Sequence, residues 1–208
     1  MFTGIIDHIG YIVKRKNDAQ DHDVCSFFSL EIKHTLVKPI QYGASIAING
    51  VCLSVSKINQ AANIFEVDVS SETISCTNLL TLKAGSRVHL EPSMCLGDEI
   101  GGHLIYGHVD DCCCLRKFEK LDGGHVLMQI EINPKWLAML APKGSVALNG
   151  VSLTINQINE NVVSFNLIPQ TLKQSLLGEL KIGDMINMEI DPLMRYVSHM
   201  LSATKEMR

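Results

Sequence analysis

Apolar and polar positions alternate with a period of two in short runs along this chain, and the clearest run occurs twice. Ser45-Ile46-Ala47-Ile48-Asn49-Gly50-Val51-Cys52-Leu53-Ser54-Val55 returns one hundred residues later as Ser145-Val146-Ala147-Leu148-Asn149-Gly150-Val151-Ser152-Leu153-Thr154-Ile155. The alternation predicts strands, and each Asn-Gly supplies the two positive-φ centres of a two-residue hairpin turn. Counting back from the turn, 48 opposes 51, 47 opposes 52, 46 opposes 53 and 45 opposes 54. Ile46, Ile48, Val51, Leu53 and Val55 then share an apolar face, while Ser45, Ala47, Cys52 and Ser54 share the other. The second copy sorts in the same way, with Ser145, Ala147, Ser152 and Thr154 on the small, polar side.

The repetition extends beyond the hairpin. Glu72-Thr73 recurs as Gln170-Thr171, Leu82-Lys83-Ala84-Gly85 as Leu180-Lys181-Ile182-Gly183, and Glu91 as Glu189; Met1 to Asp7 aligns with Leu104 to Asp110, placing Gly4 on Gly107. A period this long, seen only twice, fits two domains related by a pseudo-twofold axis rather than a solenoid. Runs of alternation punctuated by Asn-Gly, Gly-Ser and Gly-Asp predict about six strands per half, and closure into a barrel removes their exposed edges. The expectation is therefore an all-β chain: two tandem six-stranded Greek-key β-barrels over residues 1–97 and 98–191, followed by a C-terminal helix over 192–208. Two further short helices are expected, one after Thr73 and one from Thr171 to a stop at Gly178, with Pro169 ahead of it. In the tail Leu193, Tyr196, Val197, Met200 and Leu201 fall on one face at helical spacing, a stripe that must pack on something: its own barrel or, the favoured reading, a three-helix contact in the oligomer.

Composition narrows the class. The chain has 208 residues, 46% hydrophobic and 19% charged, with a formal net charge of -4. Scattered Lys and Arg on an acidic protein speak against a nucleic-acid partner, because no basic stripe is present to displace counterions from phosphates. The N-terminus has no basic segment leading an apolar run, and no stretch has the length to span a bilayer. Seven cysteines, three of them the adjacent Cys112, Cys113 and Cys114, do not suit a disulfide framework and point to a reducing cytoplasm. His103 and His108 are five apart, and nothing beside them completes a zinc set, so no metal is expected.

The small, hydroxyl-rich hairpin face is the first candidate for function. A plain solvated strand face would accept Lys or Glu; the same small residue types in both copies favour a floor for a flat ligand. Around His103 and His108, the glycines of Gly101-Gly102-His103-Leu104-Ile105-Tyr106-Gly107-His108-Val109 would let a ligand approach the backbone closely.

Met1-Phe2-Thr3-Gly4-Ile5, Asn49-Gly50-Val51-Cys52-Leu53, Gly101-Gly102-His103, Gly107-His108-Val109-Asp110, Gly150-Val151-Ser152-Leu153-Thr154, Leu167-Ile168-Pro169 and Glu189-Ile190-Asp191 together resemble the riboflavin synthase family, α-chain type, over essentially the whole length. The resemblance implies a homotrimer of two-barrel chains and no cofactor. It implies dismutation of two molecules of 6,7-dimethyl-8-ribityllumazine to riboflavin and 5-amino-6-ribitylamino-uracil, with one four-carbon unit passing between them. Two identical substrates reacting with each other need two similar pockets, and the duplication supplies them.

One lumazine donates and the other accepts, so the symmetry must be broken. The repeats differ where His108 matches Ile5, Cys52 matches Ser152, Lys143 matches Gly43, and Asp191 matches Ser93. By resemblance Ser45, Cys52 and His108 belong to the N-terminal site, and Lys143 and Asp191 come from the C-terminal barrel. Histidine exchanges protons near neutral pH, so His108 is the candidate for handling the proton lost from the methyl at C7. Cys52, Ser45 or water are the candidates for adding to C7 of the other lumazine. Repeat symmetry proposes the remaining lining: Gly4, Ile5 and Ile6 with Gly107, His108 and Val109; Cys52, Leu53 and Ser54 with Ser152, Leu153 and Thr154; and Asp68, Val69, Ser70, Ser71, Glu72 and Thr73 with Asn166, Leu167, Ile168, Pro169, Gln170 and Thr171. Pro169 could instead serve only to start a helix, and Glu72 only to cap one. Asp111, where the family usually has Gly, and Pro92, where Arg is common, depart from its pattern.

Two rival readings remain. Lumazine-carrying antenna proteins share the fold without the activity, but depart from the Gly-Gly-His and Gly-His-Val-Asp segments kept here. A flavin-dependent reductase would need a nucleotide-binding half, and no Gly-x-Gly-x-x-Gly follows a strand.

Overall fold

The computed structural model describes residues 1–17, 27–36 and 39–206. Positions 18–26 and 37–38 of the expected first unit, and 207–208 of the expected tail, lie outside the described residues. The first half forms β1 (His8–Asn17), β2 (Phe27–Lys33), β3 (Ser45–Ile48), β4 (Val51–Asn59), β5 (Ile64–Ser70) and β6 (Arg87–Pro92), closed into a barrel in the order β1-β2-β5-β4-β3-β6. The second half forms β7 (Asp111–Lys120), β8 (Val126–Glu131), β9 (Ser145–Leu148), β10 (Val151–Thr154), β11 (Gln157–Asn159), β12 (Val162–Leu167) and β13 (Met185–Ile190). They form a seven-stranded sheet in the order β10-β9-β13-β7-β8-β12-β11, which keeps the neighbours of the first half but is not closed by strand pairing: the counterpart of β4 is broken into β10 and β11, consecutive in the chain, by two residues outside the strands.

The hairpin register is the one that Asn-Gly turns dictate. Ser45 opposes Ser54, Ala47 opposes Cys52, and Ile48 opposes Val51, with the same pairing in the second copy. The apolar face enters each core: Ile46, Ile48, Val51, Leu53 and Val55 in the first, and Val146, Leu148, Val151, Leu153 and Ile155 in the second. The opposite face is not wholly a ligand floor. Ala47 and Ala147 are buried with Phe2 and Ile105 in a third core between the two barrels, where Phe2 and Ile105 bond reciprocally through their backbones at 2.7 and 3.0 Å.

Three helices differ from expectation only at their ends. The first, α1, spans Ser71–Cys76 and begins ahead of Thr73 because the Ser70 hydroxyl accepts the Thr73 N–H and caps it; Glu72 lies in the first turn and is not the cap. Pro169 opens α2 (Pro169–Gln174) at the position where a missing N–H costs nothing, so this helix also starts two residues early. Gly178 falls in the 3₁₀ turn that follows. The tail is α3 (Pro192–Glu206), with Leu193, Tyr196, Val197, Met200 and Leu201 all exposed. Among the described residues no helix is long and apolar enough to cross a membrane.

Two features join the halves about their pseudo-twofold axis. The segments ahead of β1 and β7 cross over: Ile6 packs in the second core, while Val109 packs against the first. On the axis itself, Asn187 donates from Nδ2 to the Asn49 carbonyl at 2.9 Å and accepts the Asn78 N–H on Oδ1 at 2.7 Å. His89, its counterpart, makes the same two bonds with a ring. Nδ1 donates to the Asn149 carbonyl at 2.7 Å, and Nε2 accepts the Leu176 N–H at 2.7 Å. That clasp needs a neutral imidazole, and burial pushes the His89 pKa down to about 4.

Candidate active site

The first half-site lies on the outside of the first barrel, along β4, β5 and the start of α1. Tyr42, Gly43, Cys52, Ser54, Asp68, Ser70 and Thr73 line a cavity of about 390 Å³. A second cavity of about 230 Å³ shares Cys52 and Thr73 with it and adds Glu72, Cys76, Gly107, His108 and Val109. Ten expected residues meet here: Cys52, Leu53, Ser54, Asp68, Ser70, Glu72, Thr73, Gly107, His108 and Val109. Alternation along the strands explains the grouping, since Asp68 and Ser70 point outward where Val67 and Val69 point in. Ser45, opposite Ser54, is half-buried on the same face.

Gly107 and His108 reach this site from beyond the interdomain crossing. The Gly107 carbonyl accepts the Cys52 N–H at 2.9 Å. Gly107 has φ of +76°, and a Cβ there would come within 2.5 Å of the Cys52 Cβ, so the crossing demands glycine. His108 is exposed, its ring edge-on to Tyr106 at 6.1 Å between centroids.

The second half-site repeats the construction with different chemistry. The Gly4 carbonyl accepts the Ser152 N–H at 2.9 Å, and Gly4 has the same φ of +76°. Beside it Ile5, exposed, replaces the histidine. The Ser152 hydroxyl lies 2.7 Å from His103 Nδ1, while His103 Nε2 is buried with no protein partner. Burial lowers the His103 pKa, and Asp191 pulls it the other way. Thr154, Asn166 and Ile168 are exposed along the same strands, and Pro169, Gln170 and Thr171 form the first turn of α2.

Several expected lining residues turn elsewhere. Val69, Leu167, Leu153 and Ile6 are core residues, placed inside by the same alternation, so only their backbones can face a ligand. Ser71 is exposed at the start of α1. Asp191 accepts the Leu193 N–H at 3.0 Å and so also starts α3. Lys143 is exposed in a turn at φ of +68°, where its counterpart Gly43 has +77°. A lysine in the left-handed region is unusual, and repeat symmetry sets it at the mouth of the second half-site.

Sequence reasoning did not place His103 against Ser152, nor Tyr42 and Cys76 in the first half-site. It also passed over Glu91 and Glu189. The Glu91 carboxylate accepts the Thr3 N–H at 2.6 Å, the Thr3 hydroxyl at 2.9 Å and the Gly4 N–H at 3.1 Å. Glu189 accepts the Tyr106 and Gly107 N–H groups at 2.7 and 2.8 Å. Burial raises both pKa values, that of Glu189 to about 7.

The cysteine run belongs to β7. Cys113 is in the second core, and burial pushes the Cys112 thiol up to about 11 and the Cys113 thiol higher still, which leaves neither as a nucleophile. Among the described residues no three His, Cys, Asp or Glu side chains gather into a set able to hold a metal ion.

The lumazine binding domain family model matches this chain twice, over residues 3–93 and 106–191. The chain is 35% identical over 207 residues to a riboflavin synthase of Bacillus subtilis, covering 99% of this chain and 92% of that protein. It is 38% identical over 211 residues to a riboflavin synthase of Brucella abortus, covering 99% and 100%. Among solved structures it is similar to LumP complexed with riboflavin, at a TM-score of 0.77 and 22% identity, covering 91% of this chain and 99% of that one. A complex of LumP with 6,7-dimethyl-8-(1'-D-ribityl) lumazine gives a TM-score of 0.76, also at 22% identity, covering 91% and 98%.

Proposed function

The chain belongs to the riboflavin synthase family, and we propose that it makes riboflavin by dismutating two molecules of 6,7-dimethyl-8-ribityllumazine. One lumazine gives up a four-carbon unit to the other and leaves as 5-amino-6-ribitylamino-uracil. What one substrate loses the other gains, so the reaction calls on no outside oxidant. The observation that carries this reading is the pair of equivalent crossings onto floors of unlike chemistry: Gly107 and His108 over Cys52, and Gly4 and Ile5 over Ser152 with His103.

Ser45, Cys52 and His108 are assigned to the first half-site, and Lys143 and Asp191 to the second. His108, exposed beside Cys52, takes the proton from the C7 methyl of one lumazine. Cys52, Ser45 or a water adds to C7 of the other. The serines, threonines, Asp68 and Asn166 take the ribityl hydroxyls and ring edges. Holding two reactants in a near-attack arrangement supplies roughly 7–11 kcal/mol, so modest acid–base groups suffice.

The chain acts as two lumazine-binding units divided near residue 97. It assembles as a homotrimer in the cytoplasm, with the productive pair of half-sites contributed by different subunits. The exposed Leu193, Tyr196, Val197 and Leu201 of α3 support that assembly, since a helix whose apolar residues meet water gains little from folding alone. The test is incubation with 6,7-dimethyl-8-ribityllumazine as sole substrate. Riboflavin and the uracil product are expected in equal amounts; a bound, unchanged lumazine would return the protein to the antenna class.

A further inference from the structure

Glu91 and Glu189 are buried carboxylates that the mechanism above leaves without a task, and they stand at equivalent places in the repeat. Each sits on the last strand of its own barrel, β6 or β13, and takes backbone N–H groups from the crossing segment. The crossing segment then bonds to the floor of the opposite barrel. From Glu189 the path runs through the Gly107 N–H, across one residue to the Gly107 carbonyl, and on to the Cys52 N–H. From Glu91 it runs through Gly4 to the Ser152 N–H. Each carboxylate is thus one residue away from the floor of the other barrel's half-site.

We propose that Glu189 is a positioning residue for the first half-site, setting the Gly107 and His108 backbone over Cys52, and that Glu91 does the same for Gly4 over Ser152. The inference rests on the synthase reading for its kinetic consequences, and on geometry alone for its structural ones. An ionised carboxylate is suited to this place because both oxygens accept. Tyr106 and Gly107 present converging N–H groups, one to each oxygen. A protonated acid or an amide turns a donor toward one of them.

The arrangement also sets a pH range. Burial is the largest influence on Glu189 and holds its pKa up at about 7, against the lowering effect of its two backbone bonds. Asp110, ahead of β7, raises it further, and Arg195 on α3 opposes that. Above about 7 the carboxylate is ionised and the crossing is held; below it an acceptor is lost and the segment loosens. Turnover therefore rises with pH through this range.

Glu189→Gln tests the proposal in the full-length protein. The kcat for riboflavin formation should fall roughly ten- to a hundredfold, as for one charge-assisted hydrogen bond, while the lumazine Kd shifts less than about threefold. In a His108→Gln background, from which the proton acceptor has been removed, the residual kcat should still fall on the acid side of about pH 7, and that fall should vanish when Glu189→Gln is added. The unmutated protein provides a second measurement that does not depend on the variant folding or on any activity. The amide resonances of Tyr106 and Gly107 should move together with a midpoint near 7, and Glu91→Gln should shift Thr3 and Gly4 while leaving 106 and 107 in place. An unchanged kcat in Glu189→Gln, an acid-side fall that persists in the double variant, or amides at 106 and 107 that ignore pH would each overturn it.

Discussion

Replacing His89 by Asn should remove a defined part of the protein's acid sensitivity. In the folded chain both ring nitrogens are committed, Nδ1 as donor to Asn149 and Nε2 as acceptor from Leu176. Protonation puts a second donor against the Leu176 N–H. Because burial depresses the folded pKa from 6.5 to about 4, the stabilisation is fully present above pH 6.5 and is lost as pH falls toward 4. That span, at about 1.4 kcal/mol for each pH unit, amounts to about 3 kcal/mol. Glu189 runs the other way: its folded pKa, about 7, is raised above 4.5, so it favours folding as pH falls through the same range. The wild-type curve mixes the two, and only the difference between proteins isolates His89. Asn copies what Asn187 does on the other side of the axis; its shorter reach should cost about 1 kcal/mol at neutral pH, the worth of one weakened hydrogen bond. Urea unfolding at fixed protein concentration between pH 7 and 4 should show wild type losing about 3 kcal/mol relative to His89→Asn. Parallel curves would refute the reasoning.

Cys52→Ser makes the first floor resemble the second without changing its size; turnover should fall by more than about tenfold with lumazine binding retained, and unchanged turnover would leave Cys52 as a packing residue. Lys143→Gly relieves a left-handed lysine and should raise stability by about 1 kcal/mol while lowering kcat, read by thermal unfolding and a riboflavin assay. Deleting the chain from Pro192 onward should give monomers, by light scattering, that bind lumazine through the first barrel but make little riboflavin; a fully active monomer would refute a site shared between subunits.

The hairpins were legible in the sequence down to their register because an Asn-Gly turn fixes which residues oppose each other. Alternation, however, says which residues share a face and not what covers it. The face carrying Ser45, Cys52 and Ser54 also carries Ala47, which went to the interface with Phe2 and Ile105 instead of to solvent or ligand. The same limit applies to Val69 and Leu167, named with the lining because their neighbours point outward. The break between β10 and β11 left no mark in the alignment, since the repeat runs through it unbroken. His103 meets Ser152 across 49 positions, a separation at which no local pattern operates. Glu91 and Glu189 did carry a signal, a charge inside an apolar strand in both copies, yet it served to align the repeats and to mark the family resemblance and not to assign either residue a task. Lys143 shows the reverse case. The repeat singled it out as a mismatch with Gly43, and the left-handed backbone suits that glycine while local geometry does not explain the lysine.

The crossing of the two segments has a consequence for the order in which the protein is made. Phe2, Gly4 and Ile6 leave the ribosome well before Ile105, Ser152 and the second core, against which they settle. At roughly 5–20 residues per second, Ser152 emerges about 7–30 seconds after Gly4. Throughout that interval the first barrel can close its own strands, and Glu91 can already hold Thr3 and Gly4, while Phe2 and Ile6 wait for their apolar partners. The segment ahead of β1 is therefore made long before it can settle fully, and one half of the protein holds the finishing piece of the other.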